Sequence, residues 1–211
     1  MTRSDPIPPR RGAAREEAIL RATVELVAEL GYDGVTVDGI ASRARASKAT
    51  MYRRWASKAE LVAAALRNAA EGRSTPTVDT GTVRGDLLMV VGEIAAAAGD
   101  GNGPSLVSLA EPMRRDPELR ALIRSQIRGR AEYEARQLAE RAASRGEPVS
   151  RTASLLAVEL AIAYSLLAVV LDGERPDEAD MARLVDELLL PHLTLSPRGD
   201  STSPTTLEAS P

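Results

Sequence analysis

Apolar residues recur every three or four positions along most of this 211-residue chain, and such spacing predicts α-helices. The first predicted helix spans residues 13–30 and ends at Gly31, a residue suited to a left-handed cap. After a segment at 72–81 that is rich in Ser, Thr, Pro and Gly, the same spacing predicts five more helices. They cover residues 82–98, 104–115, 117–145, 148–171 and 176–195, and Pro112 should bend or shorten the second of them.

Cap signals divide the segment between the first helix and this linker. Thr36 and Ser47 each precede a short apolar segment, which predicts a second helix and a third that reaches about Trp55. Ser57 followed three residues later by Glu60 is a capping box and opens a fourth helix. The second and third helices, joined by a short turn, form the helix-turn-helix arrangement whose second helix enters the major groove of DNA.

Composition supports an all-α fold and excludes several kinds of active site. Cysteine and phenylalanine are absent, aromatic residues make up 2% of the chain, and strand-type segments are scarce. Without cysteine there is no disulfide, thiolate nucleophile or thiolate metal site. The single histidine, His192, is better explained as a packed or rim residue than as a ligand. We therefore predict no metal, no cofactor and no enzyme activity, with a helical enzyme or small-molecule carrier as the competing class.

The charges are distributed unevenly along the chain. Residues 1–58 carry 11 basic and 7 acidic side chains, whereas residues 59–211 carry 16 basic and 23 acidic ones. The only two lysines, Lys48 and Lys58, both lie in the basic part. A basic front part favours a polyanionic partner such as DNA.

The residues of this basic part are similar to a known family. In order and spacing they resemble the N-terminal domain of TetR-type, tetracycline-repressor-like regulators over about residues 12–72. The matching residues are Gly31-Tyr32, Thr36, Ile40-Ala41, Ser47-Lys48, Met51-Tyr52, Trp55, Ser57-Lys58 and Leu61. Beyond them only residues 176–193 resemble the family, as its final dimerisation helix. The resemblance implies a cytoplasmic homodimer that binds double-stranded operator DNA and is released by a small-molecule effector.

The resemblance also implies roles for individual residues. The family's phosphate contacts correspond here to Thr36, Ser47, Tyr52 and Lys58. Its groove-facing positions correspond to Lys48, Ala49, Thr50, Arg53 and Arg54, and its core positions to Met51 and Trp55. Arg45 departs from the pattern, since the turn usually has glycine there. Either the turn differs or Arg45 is strained, and its side chain would then add a contact to the DNA backbone.

Four segments are predicted in chain order. A disordered arm at 1–11 precedes the DNA-binding domain at 12–72, and a helical ligand-binding and dimerisation domain at 80–195 precedes a disordered tail at 196–211. No secretory signal is present, which favours the cytoplasm. Between Leu155 and Leu171 the only charge is Glu159, so this short apolar helix should be buried against both its own domain and a partner protomer rather than in a membrane. The predicted dimer contacts are Leu155, Leu167, Leu171, Leu184 and Leu188.

Side chains for an effector pocket are harder to identify. Aliphatic and tyrosine residues of the C-terminal helices could line a cavity, or serve equally well as ordinary core. The pocket candidates are Leu88, Val91, Leu109, Met113, Ile123, Ile127, Tyr133, Tyr164 and Leu167. The prediction is a transcriptional repressor released from a palindromic operator by a ligand. An activator, or a regulator of the same fold that answers to no ligand, is the alternative within the binding proteins.

Overall fold

A computed structural model describes residues 11–72, 79–99 and 108–194, and every regular element in those ranges is helical, as predicted. The helices are α1 (Arg11–Gly34), α2 (Val37–Arg43), α3 (Lys48–Tyr52), α4 (Lys58–Glu71), α5 (Val83–Gly99), α6 (Ala110–Arg115), α7 (Pro117–Ser144), α8 (Arg151–Leu171), α9 (Glu178–Arg183), a π-helical segment (Leu184–Leu189) and α10 (Leu190–Thr194). The last three are continuous and are called the C-terminal helix. The predictions for residues 1–10, most of the linker and the tail lie outside the described residues.

Helix boundaries differ from the predicted ones for local reasons. Gly31 interrupts α1 with φ 68° and ψ 167°, a positive φ as predicted but an extended, glycine-only conformation rather than a left-handed cap. The third helix was predicted to reach Trp55, but it ends at Tyr52, and Trp55 is buried just beyond it. Pro112 lies in the first turn of α6, where its missing N–H removes no intrahelical hydrogen bond.

The capping box at the start of α4 is present with a one-residue offset. Ser57 Oγ accepts a hydrogen bond from the Glu60 N–H at 3.0 Å. The Glu60 carboxylate accepts in return from the Ala56 N–H at 2.6 Å, instead of from the N–H of the cap residue. Both backbone donors are satisfied, which fixes the direction in which α4 leaves the α3 region.

The first hydrophobic core crosses the linker. Leu61 and Val62 of α4 pack in one cluster with Leu119 and Ile123 of α7, and all four side chains are at most 2% exposed. A polar contact accompanies them, since the Gln126 side-chain amide donates to the α4 backbone at 3.1 Å. The linker therefore separates two segments of sequence, but it does not separate two cores.

Three hydrogen bonds reinforce this junction at the start of α7. Asp116 caps α7 by accepting from the Leu119 N–H at 3.0 Å, and it also accepts from the Tyr32 hydroxyl at 2.5 Å. Ser57 Oγ, the cap of α4, donates to Glu118 at 2.7 Å. The N-termini of α4 and α7 are thus bonded to each other and to the end of α1.

The remaining helices form a second and a third cluster around the C-terminal half of α7. The second cluster combines Leu138 and Ala142 of α7 with side chains of α5, α8 and the C-terminal helix. The third is small and contains Val90, Ala131, Ala135 and Val158. The π-helical segment ends two residues before Pro191, and its wider turn relieves the clash between a proline ring and the carbonyl one turn earlier.

A buried carboxylate joins the start of α5 to the end of α7. Asp86 is fully buried and accepts hydrogen bonds from the Thr80 N–H and hydroxyl, at 3.0 and 2.9 Å. Its other oxygen accepts from Arg145 at 2.9 Å and from Arg141 at 3.3 Å. Burial alone would raise the pKa of Asp86, but these donors outweigh it and hold the pKa below the usual value.

Asp86→Asn is expected to lower the free energy of unfolding by about 3–5 kcal/mol at pH 7, because it breaks the ion pairs of a fully buried carboxylate and leaves two half-buried guanidinium groups without their counter-charge. The lowered pKa means that the stabilising contribution is present at neutral pH and is lost as the pH falls below 4 through the native pKa. Urea denaturation as a function of pH measures both effects. Asp186→Asn, which removes the exposed ion pair with Arg84, is the matched control and should change stability little. An equal loss in both variants would contradict the structural role of Asp86.

Candidate nucleic-acid interface

Side-chain caps fix the starts of both helices in the α2–α3 pair. Thr36 Oγ1 accepts a hydrogen bond from the Gly39 N–H at 3.1 Å, as predicted for the cap of α2. Ser47 Oγ accepts from the Thr50 N–H at 3.2 Å, and the hydroxyl oxygens of Ser47 and Thr50 lie 2.8 Å apart. Accepting through oxygen leaves the Thr36 hydroxyl its hydrogen, which suits donation to a phosphate oxygen.

The turn between α2 and α3 has the geometry that usually requires glycine. Arg45 has φ 49°, and it is the one non-glycine residue with a positive φ in the described ranges. Its N–H donates to the Ser42 carbonyl at 3.2 Å, and the Ala46 N–H donates to the Ala41 carbonyl at 2.9 Å. These two bonds form a Schellman motif with Arg45 at the left-handed position. Of the two alternatives open from the sequence, the turn is therefore unchanged and Arg45 is strained.

The faces of α3 separate as the sequence predicted. Met51 and Trp55 are 1% and 7% exposed and anchor the helix in the first core. Lys48, Ala49, Tyr52, Arg53 and Arg54 are exposed, and Thr50 is half-buried. Tyr52 in particular is 55% exposed, so its ring and hydroxyl project away from the core. The outward face of α3 thus combines two short side chains near its start with cations and a phenol near its end.

Two cations of the α3 surface form ion pairs with carboxylates of neighbouring helices. Lys48 forms an ion pair with Asp38 of α2, and Arg54 forms one with Glu16 of α1. Arg53 has no ion pair within the described ranges. Exposed pairs contribute little to stability, so a phosphate can replace the carboxylate at low cost. Lys48 and Arg54 are therefore positioned at the surface by these ion pairs but remain able to bind a phosphate.

Lys58, the predicted phosphate contact at the start of α4, has two partners within the protein. Its ammonium donates to the Tyr32 carbonyl oxygen at 3.0 Å and lies 4.2 Å from the centroid of the Tyr32 ring. The side chain is half-buried, because α4 begins against the end of α1. Lys58 therefore fastens α4 to Tyr32 in the absence of DNA, and a phosphate contact would have to compete with both interactions.

A cleft beside α3 contains a residue that the sequence analysis did not single out. The cleft has a volume of about 240 Å³ and is lined by Gly12, Arg15, Glu16, Ile19, Thr50, Arg53 and Arg54. Arg15 of α1 lies one turn before the buried Ile19 and brings a further guanidinium to the edge of the α3 surface. The sequence signal was its spacing of four from Ile19, which puts both on the side of α1 that meets α3.

The predicted pocket residues do not converge on one place. Leu109, Met113, Ile123 and Ile127 belong to the first core, against the DNA-binding helices. Leu88, Val91 and Tyr164 belong to the second cluster, and Tyr133 and Leu167 are exposed. The structure therefore corrects the prediction that these nine residues line one cavity. The reason is that α6 and the first half of α7 pack toward α4 rather than toward α8. A helical period identifies buried faces but does not say which neighbour covers them.

The predicted dimer residues divide in a similar way. Leu167, Leu171 and Leu188 are exposed by 54%, 71% and 40%, so the core of this chain does not use them. Leu155 is half-buried against the third cluster. Leu184 is only 6% exposed and packs inside its own protomer, so its assignment to the interface is corrected.

Comparison with known proteins assigns the chain to a family. Residues 19–65 match the family of bacterial regulatory proteins described as the tetR family, and residues 77–188 match the tetracyclin repressor-like C-terminal domain. The chain belongs to the TetR family. This TetR-family protein is a DNA-binding transcriptional regulator of the helix-turn-helix type, as its α2–α3 geometry and its relatives agree.

Two relatives and one solved structure illustrate the similarity. The HTH-type transcriptional regulator Rv1556 of Mycobacterium tuberculosis is 34% identical over 191 residues, which cover 90% of this chain and 94% of the relative. The DNA-binding transcriptional repressor TetR of Mycobacteroides abscessus is 34% identical over 183 residues, covering 85% and 94%. The fold is shared with the regulator FadR of Bacillus subtilis in complex with stearoyl-CoA, at a TM-score of 0.55 and 20% identity, covering 84% and 97%.

Arg45→Gly is expected to stabilise this regulator by about 0.5–1 kcal/mol. A left-handed conformation costs a residue with a side chain about 1–2 kcal/mol, and the greater freedom of glycine in the unfolded chain offsets part of the gain. Arg45→Ala is the matched control, since it removes the guanidinium but keeps the strained β-carbon. Thermal denaturation should show a higher Tm for the glycine variant only. An identical Tm in both variants would mean that the turn is not strained.

Proposed function

We propose that this TetR-family regulator is a cytoplasmic repressor that binds a palindromic operator as a homodimer and leaves it when a small molecule binds. The outward face of α3, anchored through Met51 and Trp55, is the observation that carries the DNA-binding part. The repressor of Mycobacteroides abscessus supports the direction of regulation. The FadR complex with stearoyl-CoA supports the existence of an effector site in this fold.

The DNA contacts follow from the chemistry of the α3 surface. Small residues at the start of α3 let the helix approach base edges closely, and Arg53 and Arg54 offer the forked donors that read guanine. Tyr52, Ser47 and Thr36 supply phosphate contacts, with Arg45 at the backbone beside the turn, and Lys48 faces the groove. Two domains related by a two-fold axis would place two such helices in successive major grooves.

The dimer interface is proposed on the exposed face of α8. Among the described helices, α8 is long and apolar enough to cross a membrane, yet only 28% of its most apolar window is buried in the protomer. Leu156, Leu167 and Leu171 stand on this uncovered face, and each is at least half exposed. An apolar stripe of that size marks an interaction site, and a self-complementary contact with a second α8 covers it symmetrically. Leu188 of the C-terminal helix extends the stripe toward a four-helix arrangement.

Effector signals would reach the DNA-binding helices through α7. The N-terminal half of α7 belongs to the first core and its C-terminal half to the second cluster. A change in one of them therefore moves a helix that also forms part of the other. The linker does not act as a pivot between two rigid units, because α4 and the start of α7 are packed and hydrogen-bonded together. The expected motion is a tilt of both DNA-binding units relative to the dimer axis.

Lys48→Ala should weaken operator binding and reduce its salt dependence, because it removes a cation from the groove-facing surface of α3. Asp38→Asn is the matched control, since it removes the partner of Lys48 but leaves the ammonium free for DNA. Fluorescence anisotropy with operator DNA at several salt concentrations measures both. Equal weakening in the two variants would show that the pair acts through the fold of α2 and α3.

Leu167→Glu should give a folded monomer with strongly reduced operator affinity. The side chain is 54% exposed in the protomer, so a carboxylate there leaves the protomer core intact but is unpaired in the apolar dimer interface. Leu184→Glu, which buries the charge in the protomer itself, is expected to unfold the chain instead. Light scattering and circular dichroism separate these outcomes. A Leu167→Glu protein that remains dimeric would rule out this face.

Repression and release are tested with a ligand identified by thermal shift, since binding to the native state raises Tm. Saturating ligand should lower operator affinity by about 5- to 150-fold, and operator DNA should lower ligand affinity by the same factor. Reporter expression from the operator should rise when the gene for this regulator is deleted. A fall in reporter expression would indicate an activator instead.

A further inference from the structure

An ion pair joins the start of α1 to the end of the α3 surface. Glu16 of α1 is paired with Arg54, which lies two residues beyond the last residue of α3. Both residues line the cleft of about 240 Å³ beside α3, and their side chains are 40% and 37% exposed. The pair is therefore accessible to DNA. A carboxylate at this place requires a physical reason, because its charge repels the phosphates of a DNA partner.

The backbone is fixed at both ends of this ion pair. The Arg54 N–H donates to the Met51 carbonyl at 2.9 Å, and Met51 is 1% exposed. Glu16 lies one turn before Ile19 and Leu20, which are 0% and 6% exposed. The first core thus holds both residues in place, so that Glu16 sets the direction in which the Arg54 guanidinium points.

The ion pair engages only part of the guanidinium. Its contact to Glu16 is made through Arg54 Nη1. A guanidinium has five N–H donors in a rigid fork, so the edge formed by Nε and Nη2 still offers two parallel donors. Guanine presents two acceptors, N7 and O6, that match such a fork in the major groove. Arg54 can therefore bind a guanine while it remains paired with Glu16.

The other cations of the cleft differ from Arg54 in their charge balance. Arg15 and Arg53 line the same cleft, and neither forms an ion pair with another residue that the structure describes. They attract phosphates whatever the DNA sequence. A phosphate at Arg54 has to displace the carboxylate and lie beside its negative charge, whereas the uncharged edge of a guanine binds without displacing it. Glu16 therefore disfavours phosphate contacts of Arg54 and permits base contacts.

We propose that Glu16 is a specificity-determining positioning residue, which directs the Arg54 guanidinium to a guanine and keeps it from binding phosphate. The inference rests on the proposed function, in which the α3 surface binds operator DNA. Glu16 acts through Arg54 and makes no contact with DNA itself. Its effect is to weaken binding to DNA of unrelated sequence more than binding to the operator. That ratio decides how well a regulator finds its site, because a genome offers a large excess of competing sequences.

The test uses the intact regulator and two duplexes of equal length, one selected by the wild-type protein from random-sequence DNA and one of scrambled sequence. By fluorescence anisotropy, Glu16→Gln should bind the scrambled duplex about two- to fivefold more tightly, which is the range expected for loss of an exposed ion pair. The salt dependence of this binding should steepen by about one unit, because the freed Arg54 neutralises a phosphate. Affinity for the selected duplex should rise less, so the ratio of the two affinities falls.

Base preference provides a second readout. Selection from random-sequence DNA by Glu16→Gln should show a weaker preference for guanine at the position that Arg54→Gln also relaxes. Glu17→Gln is the matched control, since it removes the same charge at the next residue of α1. Glu17 is exposed and has no ion pair in the described part of the chain. This variant should leave both the affinity ratio and the base preference unchanged.

A double-mutant cycle shows whether Glu16 acts through Arg54. In an Arg54→Gln background, Glu16→Gln should change neither the affinity ratio nor the base preference. An unchanged ratio in the single variant, or an equal change in this background, would overturn the inference and leave operator binding by α3 untouched. A lower Tm with equal loss of affinity for both duplexes would also overturn it, because the pair would then be structural. A wild-type protein that selects no duplex would overturn the proposed function and this inference with it.

Discussion

The hydrogen bond from the Tyr32 hydroxyl to Asp116 connects the DNA-binding helices to the longest helix of the molecule. Burial and this bond raise the pKa of Tyr32, while the same bond and the Leu119 N–H lower the pKa of Asp116. The phenol therefore remains a donor and the carboxylate an acceptor across the physiological range. Lys58 contacts the carbonyl and ring of the same tyrosine, so the starts of α4 and α7 and the end of α1 form one rigid corner.

This corner joins the DNA-binding helices to the C-terminal helices through packing. The DNA-binding helices do not form an independent unit, because Leu119 and Ile123 of α7 complete their core. The same helix enters the second cluster through Leu138 and Ala142. A packed core is not continuously deformable, so a displacement at one end of α7 is transmitted as a rigid tilt rather than absorbed.

Two buried carboxylates show how differently this chain uses charge. Asp86 has four donors from α7 and the segment before α5, and this network stabilises the fold. Glu134 is almost as deeply buried, but in the part of the chain that the structure describes it has an ion pair with Arg130 and accepts no hydrogen bond. The hydrogen bonds of Asp86 hold its pKa low, whereas the pKa of Glu134 is raised because burial outweighs its ion pair.

The sequence by itself determined the helices, their caps and the outward face of α3. Those features depend on residues three or four apart, such as Thr36 with Gly39 or Met51 with Trp55, and local spacing records them directly. At Arg45 the sequence left two possibilities, a different turn or a strained residue, and the structure selected the strained residue. Only the tertiary structure decided which buried faces meet. Leu109 and Ile123 face α4 rather than a ligand cavity, Leu184 packs inwards, and Glu134 is brought against Glu93 across 41 positions of sequence. Helical periodicity specifies that a face is buried, whereas the partner that covers it is set by long-range packing, which no local spacing encodes.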